Sequence, residues 1–287
     1  MTLSFPYPLV KTQWLAQHIG DKNVRIIDSS WRLPGATDSG AQAYAERHIP
    51  GAVFFDLDQI SDKSTSLPHM LPSRAQFELA VGELGISAGD HVIVYDDAGI
   101  FSAARVWWTF RAMGHRNVSV LDGGLPKWLA EGRLTTSKIT PVTNVDYASD
   151  EPLAQATNAA DVKTGLGRED VVVIDARPVD RFFARAPEPR PGLRSGHMPG
   201  ARNLPHSSLL SKDGTMLGVD DMKRLFAGLG VTPDRLVITS CGSGVTAAVL
   251  TLALETLGHT GHALYDGSWA EWGIAGNDPD KFPVATG

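Results

Sequence analysis

Short apolar runs alternate along this chain with longer segments of helical periodicity. Two such runs, at residues 24–27 and 91–95, are rich in β-branched residues, and the second leads into a helical pattern over residues 103–113. The same succession returns in the C-terminal half, at residues 171–174 and 236–240. Because parallel strands need crossover connections, usually helices, this alternation predicts an α/β fold with mainly parallel sheets flanked by helices.

The two halves of the chain repeat one another. We therefore predict two domains, at residues 1–138 and 158–287. A linker over residues 139–157 joins them, in a stretch that is rich in Thr, Ser, Asn, Asp and Pro. Four ordered matches at offsets of 144 to 149 positions carry this prediction: His48-Ile-Pro-Gly-Ala52 with His197-Met-Pro-Gly-Ala201, Asp28 with Asp175, Asp122-Gly123 with Asp266-Gly267, and Trp128 with Trp272.

Composition and charge narrow the classes of function. The chain is 43% hydrophobic and 20% charged, as in globular proteins, and its net charge of −6 without a long basic cluster argues against nucleic acid or an anionic membrane as the main partner. A single cysteine excludes an internal disulfide, a CxxC pair and a cysteine-rich zinc site, and nothing in the sequence calls for a metal or cofactor. Since no signal-peptide pattern or long apolar run is present, we expect a reducing, cytoplasmic location.

The single cysteine, Cys241, lies where the predicted strand at residues 236–240 gives way to a helix. Ligand chemistry in open α/β sheets occurs at this edge. Gly242 and Gly244 allow successive N–H groups to form an anion-binding nest, which a helix N-terminus reinforces and which stabilises a thiolate. An offset of 144 places Asp97 opposite Cys241. The first copy thus lacks a nucleophile, and we predict one active site for two domains.

Three other interpretations of this loop remain. Cys241 could be an inert core residue, as isolated cysteines often are. Residues 242–247 fit GxGxxA, a dinucleotide-binding pattern in which Asp266 would hold the ribose, but Asp122 occupies the same place in the first half without that motif, which favours a structural turn. Cysteine phosphatases place a thiolate in a similar loop but need an arginine after it, and none follows Cys241 in GSGVTAAV.

Together these motifs resemble those of the two-domain rhodanese-like sulfurtransferases. The HxPGA elements, the DGG and DGS turns and the cysteine loop all fit, over nearly the whole chain. The form CGSGVT is similar to the branch that uses 3-mercaptopyruvate, whereas the thiosulfate branch carries basic residues where this chain has Gly242 and Ser243. The resemblance implies a Cys241 persulfide that passes its sulfur to cyanide or to a thiol acceptor, either a small thiol or a thioredoxin-like protein. The backbone expected to hold this persulfide belongs to Gly242, Gly244, Val245 and Thr246.

The resemblance also implies roles for side chains outside the loop. Arg181 and Arg190 match the positions of carboxylate-binding arginines, and the planar guanidinium suits a 2-oxo acid donor. Arg177 and Arg185 lie off those positions, and we expect them to be solvated surface residues.

A proton donor is expected next to the thiol, because pyruvate leaves as an enolate that must be protonated. Ser243 matches the family's serine, which is proposed to work with a histidine and an aspartate of the first domain, here His69 and Asp58. Two further hypotheses remain open: thiosulfate sulfurtransferase activity on the same fold, and a non-catalytic binding module with an inert Cys241.

Overall fold

The computed structural model describes residues 7–287 and divides them into two units that contain the same sheet. Unit 1 comprises residues 7–62, 71–154 and 210–216, and unit 2 comprises residues 63–70, 155–209 and 217–287. Each sheet has five strands, and every strand pair within it is parallel. The predicted α/β architecture with two similar domains is confirmed.

Unit 1 alternates strands and helices throughout. Its sheet has the order β1-β5-β4-β2-β3. The elements are β1 (Leu9–Val10), α1 (Thr12–His18), β2 (Val24–Asp28), α2 (Gly40–Glu46), β3 (Ala52–Phe54), α3 (Arg74–Glu83), β4 (His91–Tyr95), α4 (Ser102–Ala112), β5 (Val118–Leu121) and α5 (Gly124–Ala130).

Unit 2 repeats this order with one 3-10 turn added. Its sheet runs β6-β10-β9-β7-β8, the same topology strand for strand. The elements are β6 (Ala156–Thr157), α6 (Ala159–Gly165), β7 (Val171–Asp175), α7 (Val179–Phe182), β8 (Arg202–Asn203), a 3-10 helix (His206–Leu209), α8 (Val219–Gly228), β9 (Leu236–Ser240), α9 (Ala247–Thr256), β10 (His262–Tyr265) and α10 (Ser268–Trp272).

The central strands follow from their hydrophobic sequences. All five residues of β4 are buried, as are the last four of β9. A central parallel strand is covered by helices on both faces, so it appears in sequence as a continuous apolar run and not as an alternation. The edge strands β1, β3, β6 and β8 have only two or three residues. They are too short for periodicity to reveal, and the sequence analysis did not predict them.

The repeated HxPGA element leads directly into an edge strand in each unit. Gly51 and Gly200 adopt φ values of +82° and +86°, which turn the chain before β3 and β8. The two histidines of the element are buried and bind backbone oxygens: His48 Nδ1 lies 2.7 Å from the Tyr44 carbonyl, and His197 Nδ1 lies 3.0 Å from that of Phe182. These contacts are structural.

The units differ from the boundaries expected from the sequence in three segments. Residues 139–154 belong to unit 1, where the Val145 N–H donates to the Gly82 carbonyl at 3.0 Å and Tyr147 is buried. Residues 63–70 belong to unit 2, and residues 210–216 belong to unit 1. Among residues 7–287, none of the helices combines the length and the apolar character that crossing a membrane requires.

Candidate active site

Cys241 is the first residue after β9, at the carboxyl edge of the unit 2 sheet. A six-residue loop, residues 241–246, joins β9 to α9, and Gly244 turns it with a φ of +76°. The thiol is buried, with 1% of the residue exposed. The chain therefore presents its one cysteine at the edge where α/β proteins bind ligands, as the sequence predicts.

The loop is fixed by hydrogen bonds from the turn that opens α10. The N–H groups of Trp269 and Ala270 donate to the carbonyls of Cys241 and Gly242, at 2.9 and 2.8 Å. Ser268 Oγ accepts the N–H groups of Cys241 and Gly244, at 3.2 and 3.1 Å. Gly244 therefore contributes its backbone conformation to the loop, and its N–H is already used.

The other N–H groups of the loop are uncommitted. Within the described part of the chain, those of Gly242, Ser243, Val245 and Thr246 donate to no acceptor. Buried N–H groups in proteins are nearly always paired, so a group of this kind at a helix N-terminus is suited to an anion. Three of the four residues expected to hold a persulfide, Gly242, Val245 and Thr246, have N–H groups available for it.

Unit 1 contains the counterpart of this loop. Asp28 pairs with Tyr95 and Asp175 with Ser240 in equivalent registers, and α4 and α9 both begin seven residues after those strand ends. Asp96 is therefore the counterpart of Cys241, and the alignment of Asp97 with it was wrong. The offset of 144 holds only from β5 and β10 onward, because the repeats differ by one residue between the preceding helix and that strand.

The Asp96 carboxylate fills the unit 1 loop. It accepts the N–H groups of Ala98, Phe101 and Ala103 at 2.8 to 2.9 Å and is fully buried. Burial raises its pKa to about 6, although these hydrogen bonds favour the ionised form. Ala98 and Phe101 are the counterparts of Ser243 and Thr246. The unit 1 loop therefore holds an anionic group at the position that Cys241 occupies in unit 2.

Ser243 and His69 lie side by side in unit 2. His69 Nδ1 is 3.1 Å from Ser243 Oγ, and both residues are 4% exposed. His69 is placed by its own backbone, which adopts the left-handed region with φ +61°. The sequence analysis places His69 in the first domain, whereas in the structure residues 63–70 belong to unit 2. Asp58 belongs to unit 1, where its carboxylate accepts the Trp31 indole N–H at 3.0 Å.

Arg181 lies against the cysteine loop. A Cβ added to Gly242 would lie 3.0 Å from Arg181 Nη2, so the guanidinium occupies the space beside this glycine. Its Nε and Nη2 bind the Glu188 carboxylate, and Nη1 has no hydrogen-bond acceptor in the described residues. One edge of the guanidinium is thus held and the other is available to a carboxylate. Arg190 is half-buried in the same segment, two residues after Glu188.

Arg177 is buried, and its expected exposure was wrong. Its guanidinium binds Asp175 at 2.7 Å and Glu188 at 2.8 Å, and it lies over the Trp269 ring at 4.2 Å. Burial alone would lower its pKa, but the two carboxylates raise it above the ordinary value. Arg177 therefore anchors Glu188, which in turn orients Arg181. Arg185 is exposed, as expected.

We expect Glu188→Gln to destabilise the protein by about 1–3 kcal/mol, because two arginines lose their shared carboxylate in a site where the Glu188 side chain is 1% exposed. Urea unfolding measures the change. Glu169→Gln makes the same substitution at an exposed position and should stay within about 0.5 kcal/mol of wild type. Equal stabilities of the two variants would contradict the role assigned to Glu188.

Comparison with known proteins identifies the family. The model of the rhodanese-like domain matches residues 11–131 and 158–275. The chain belongs to the rhodanese-like family. Its two matched segments are rhodanese-like domains, which confirms the resemblance inferred from the sequence.

Relatives of this rhodanese-like protein span nearly its whole length. A 3-mercaptopyruvate sulfurtransferase of Escherichia coli K12 is 43% identical over 271 residues, covering 94% of this chain and 96% of that protein. A thiosulfate sulfurtransferase of Mus musculus is 40% identical over 271 residues, covering 92% and 91%. The crystal structure of SseA from Escherichia coli, a 3-mercaptopyruvate sulfotransferase, matches with a TM-score of 0.83 and 41% identity over 91% of this chain and 98% of that chain.

Two side chains of the second rhodanese-like domain were not singled out from the sequence. Glu188 carries a signal only through its place between Arg181 and Arg190, and Ser268 only through the difference between the DGG and DGS turns. Among residues 7–287, no group of three His, Cys, Asp or Glu side chains is placed to hold a metal ion.

Proposed function

We propose that this rhodanese-like protein is a sulfurtransferase that takes sulfur from 3-mercaptopyruvate onto Cys241 and passes it to a thiol or to cyanide, releasing pyruvate. The observation that carries the proposal is the buried cysteine in a loop of uncommitted N–H groups. The curated relative from Escherichia coli, 43% identical over 94% of this chain, supports the choice of donor.

The reaction has two transfer steps. The Cys241 thiolate attacks the thiol sulfur of 3-mercaptopyruvate, forming an S–S bond, while the C–S bond breaks and its electron pair stays on carbon as the pyruvate enolate. Protonation of that carbon gives pyruvate, and the persulfide loses its proton to become an anion. An acceptor thiolate then attacks the outer sulfur and releases Cys241 as a thiolate.

The backbone of the loop stabilises the persulfide anion. The N–H groups of Gly242, Ser243, Val245 and Thr246 are the donors, and Gly244 sets the turn that aims them. Two of their counterparts in the first domain, the N–H groups of Ala98 and Phe101, hold the Asp96 carboxylate. Preorganised donors in a buried site stabilise charge strongly because no reorganisation is needed when the charge forms.

Ser243 protonates the enolate, with His69 as the source of its proton. The hydroxyl is two residues from Cys241 and in contact with the imidazole, which is the arrangement that a proton relay requires. We propose that Asp58 is the aspartate that works with Ser243 and His69, as the family resemblance implies. Thiosulfate releases sulfite, which needs no proton, so a Ser243–His69 pair serves the 2-oxo acid donor in particular.

Arg181 and Arg190 bind the carboxylate of the donor. Arg181 offers Nη1, while Glu188 binds Nε and Nη2 on its other edge. A planar fork held in one orientation loses little freedom when it binds a carboxylate.

We expect Arg190→Ala to raise KM for 3-mercaptopyruvate about 10- to 100-fold with a smaller change in kcat, since a charge-assisted contact is worth about 1.5–3 kcal/mol. Steady-state kinetics of pyruvate release measures both constants. Arg185→Ala removes an exposed arginine from the same segment and should leave KM unchanged. If Arg190→Ala behaves like Arg185→Ala, Arg190 does not bind the donor.

Thiosulfate sulfurtransferase activity is the second candidate, and the mouse relative favours it. Against it stands the uncharged Gly242, whose neighbouring space Arg181 fills. Steady-state rates on the two donors decide between them, and a clear preference for thiosulfate would overturn the first choice. A non-catalytic module would show no mass gain of one sulfur on Cys241 with either donor.

The acceptor is an external thiol. Cys241 is the only cysteine of the chain, so no second thiol of the protein can take the sulfur. We propose a small thiol or a thioredoxin-like protein in a reducing, cytoplasmic setting.

A further inference from the structure

We propose that Ser268 is a positioning residue for sulfur transfer, whose hydroxyl sets the cysteine loop in the conformation that receives the persulfide. The proposal rests on the proposed function and extends it to a residue outside the loop. Ser268 opens α10, 27 positions after Cys241, and is fully buried.

The Ser268 hydroxyl uses all of its hydrogen-bonding capacity to join two segments. Its O–H donates to the Tyr265 carbonyl at 2.8 Å, and its oxygen accepts the N–H groups of Cys241 and Gly244 at 3.2 and 3.1 Å. A hydroxyl has one donor and two acceptor positions, so none is left over. By binding the first and fourth N–H groups of the loop, Ser268 fixes its path and leaves the others for a ligand.

The backbone at Ser268 is in an unfavourable conformation. Its φ is +49°, in the left-handed region, which costs energy for a residue with a Cβ. The counterpart in the first domain is Gly124, with φ +54°. The equivalence follows from the next residues, because Leu125 donates to the Asp96 carbonyl as Trp269 donates to that of Cys241, each at 2.9 Å. The second domain thus accepts a strained serine where the first uses glycine.

Each domain has its own copy of this loop, and a different side chain holds it in each. In the first domain the Asp96 carboxylate binds the loop N–H groups from within, and a Cβ on Gly124 would lie 2.6 Å from the Asp96 carbonyl oxygen and 2.4 Å from that of Gly99. In the second domain Cys241 replaces that carboxylate, and the N–H groups stay open for a charge that forms only during turnover. The Ser268 hydroxyl takes over the task of holding the loop.

Preorganisation is the consequence for catalysis. Donors that are already aimed at the developing anion stabilise it without rearrangement of the loop. Without the hydroxyl, the N–H groups of Cys241 and Gly244 lose their acceptor. The loop then loses the hydrogen bonds that keep its other N–H groups in position for the persulfide.

The test compares Ser268→Gly with Ser268→Ala and with Ser240→Ala. Ser268→Gly removes the hydroxyl and relieves the strain, reproducing the residue of the first domain, whereas Ser268→Ala removes the hydroxyl and keeps the strain. Ser240 is the matched control: it is adjacent to Cys241 and fully buried, and its hydroxyl has no hydrogen-bond partner in the part of the chain that the structure describes.

We expect both Ser268 variants to form the Cys241 persulfide about tenfold more slowly in single-turnover mass spectrometry with 3-mercaptopyruvate. The pH profile of Cys241 alkylation by iodoacetamide should differ from that of wild type in both variants, because the N–H groups of Cys241 and Gly244 are no longer held by the hydroxyl; a merely structural role would leave this profile unchanged. Ser268→Gly should keep the melting temperature of wild type, and Ser268→Ala should lower it. Ser240→Ala should match wild type in persulfide formation and alkylation.

Two results overturn the proposal, and they are distinguishable. If wild type forms the persulfide and Ser268→Gly forms it at the same rate with the same alkylation profile, Ser268 does not position the loop and the proposed function stands. If wild type forms no persulfide from either 3-mercaptopyruvate or thiosulfate, the proposed function fails and the role of Ser268 in transfer fails with it.

Discussion

We expect the Cys241→Ser variant to keep the fold of the second rhodanese-like domain and to lose sulfur transfer by on the order of 10⁴-fold or more. A hydroxyl cannot replace the thiolate as the sulfur nucleophile, and no persulfide can form on oxygen. The buried site accepts the change because the two side chains are nearly isosteric and differ by a single atom. Pyruvate release and thiocyanate formation from cyanide measure the loss.

Mass spectrometry supplies the control for this variant. Because the chain has one cysteine, a gain of one sulfur atom after addition of donor can be assigned to Cys241 in wild type and should be absent in Cys241→Ser. Circular dichroism and the melting temperature establish that the variant is folded. Transfer within tenfold of wild type by a folded Cys241→Ser variant would sink the covalent mechanism.

We expect Ser243→Ala and His69→Asn to lower turnover of 3-mercaptopyruvate by about 10²- to 10⁴-fold, the usual contribution of a general acid, and to leave turnover of thiosulfate within a few-fold. The split follows from the leaving groups, since the enolate needs a proton and sulfite does not. Parallel kcat measurements on the two donors test it. The double variant should be little worse than either single one, because the two groups act as a unit.

Both variants are chosen so that the fold is retained. Alanine is the residue that the first domain carries at the counterpart of Ser243, namely Ala98. Asparagine tolerates the left-handed backbone of His69, whereas most side chains do not. An equal loss on both donors would show that the pair shapes the loop and does not protonate the enolate.

Comparison of the two repeats shows which features of the cysteine loop are particular to the second domain. Both domains fold the same sheet and the same loop, and they differ in what fills it: a permanent carboxylate in one and a cysteine in the other. A domain that binds its own anion at this position is stable without a ligand. The active copy leaves the position open, and Ser268 and Arg181 lie at the edges of the space that results.

Local pattern was enough to predict the fold and the nucleophile. The central strands are continuous apolar runs, and the glycines beside Cys241 reveal a turn at the carboxyl edge of a sheet, since both signals lie within a few residues of one another. Strands of two or three residues escaped prediction because so short a run cannot establish a repeating pattern. The counterpart of Cys241 was misplaced by one residue, because the offset between two matched motifs does not show where between those motifs a one-residue length difference lies.

Two copies of one α/β domain, with a single thiol at one sheet edge, could be inferred from the order of residues alone. Three contacts became visible only in the folded chain: the Asp96 carboxylate fills the first loop, Arg177 is buried against the Trp269 ring beside Glu188, and His69 contacts Ser243 across 174 positions of chain. The reason is physical. Strand, turn and helix signals act over neighbouring residues, whereas hydrogen bonds and ion pairs join side chains that only the completed packing brings together.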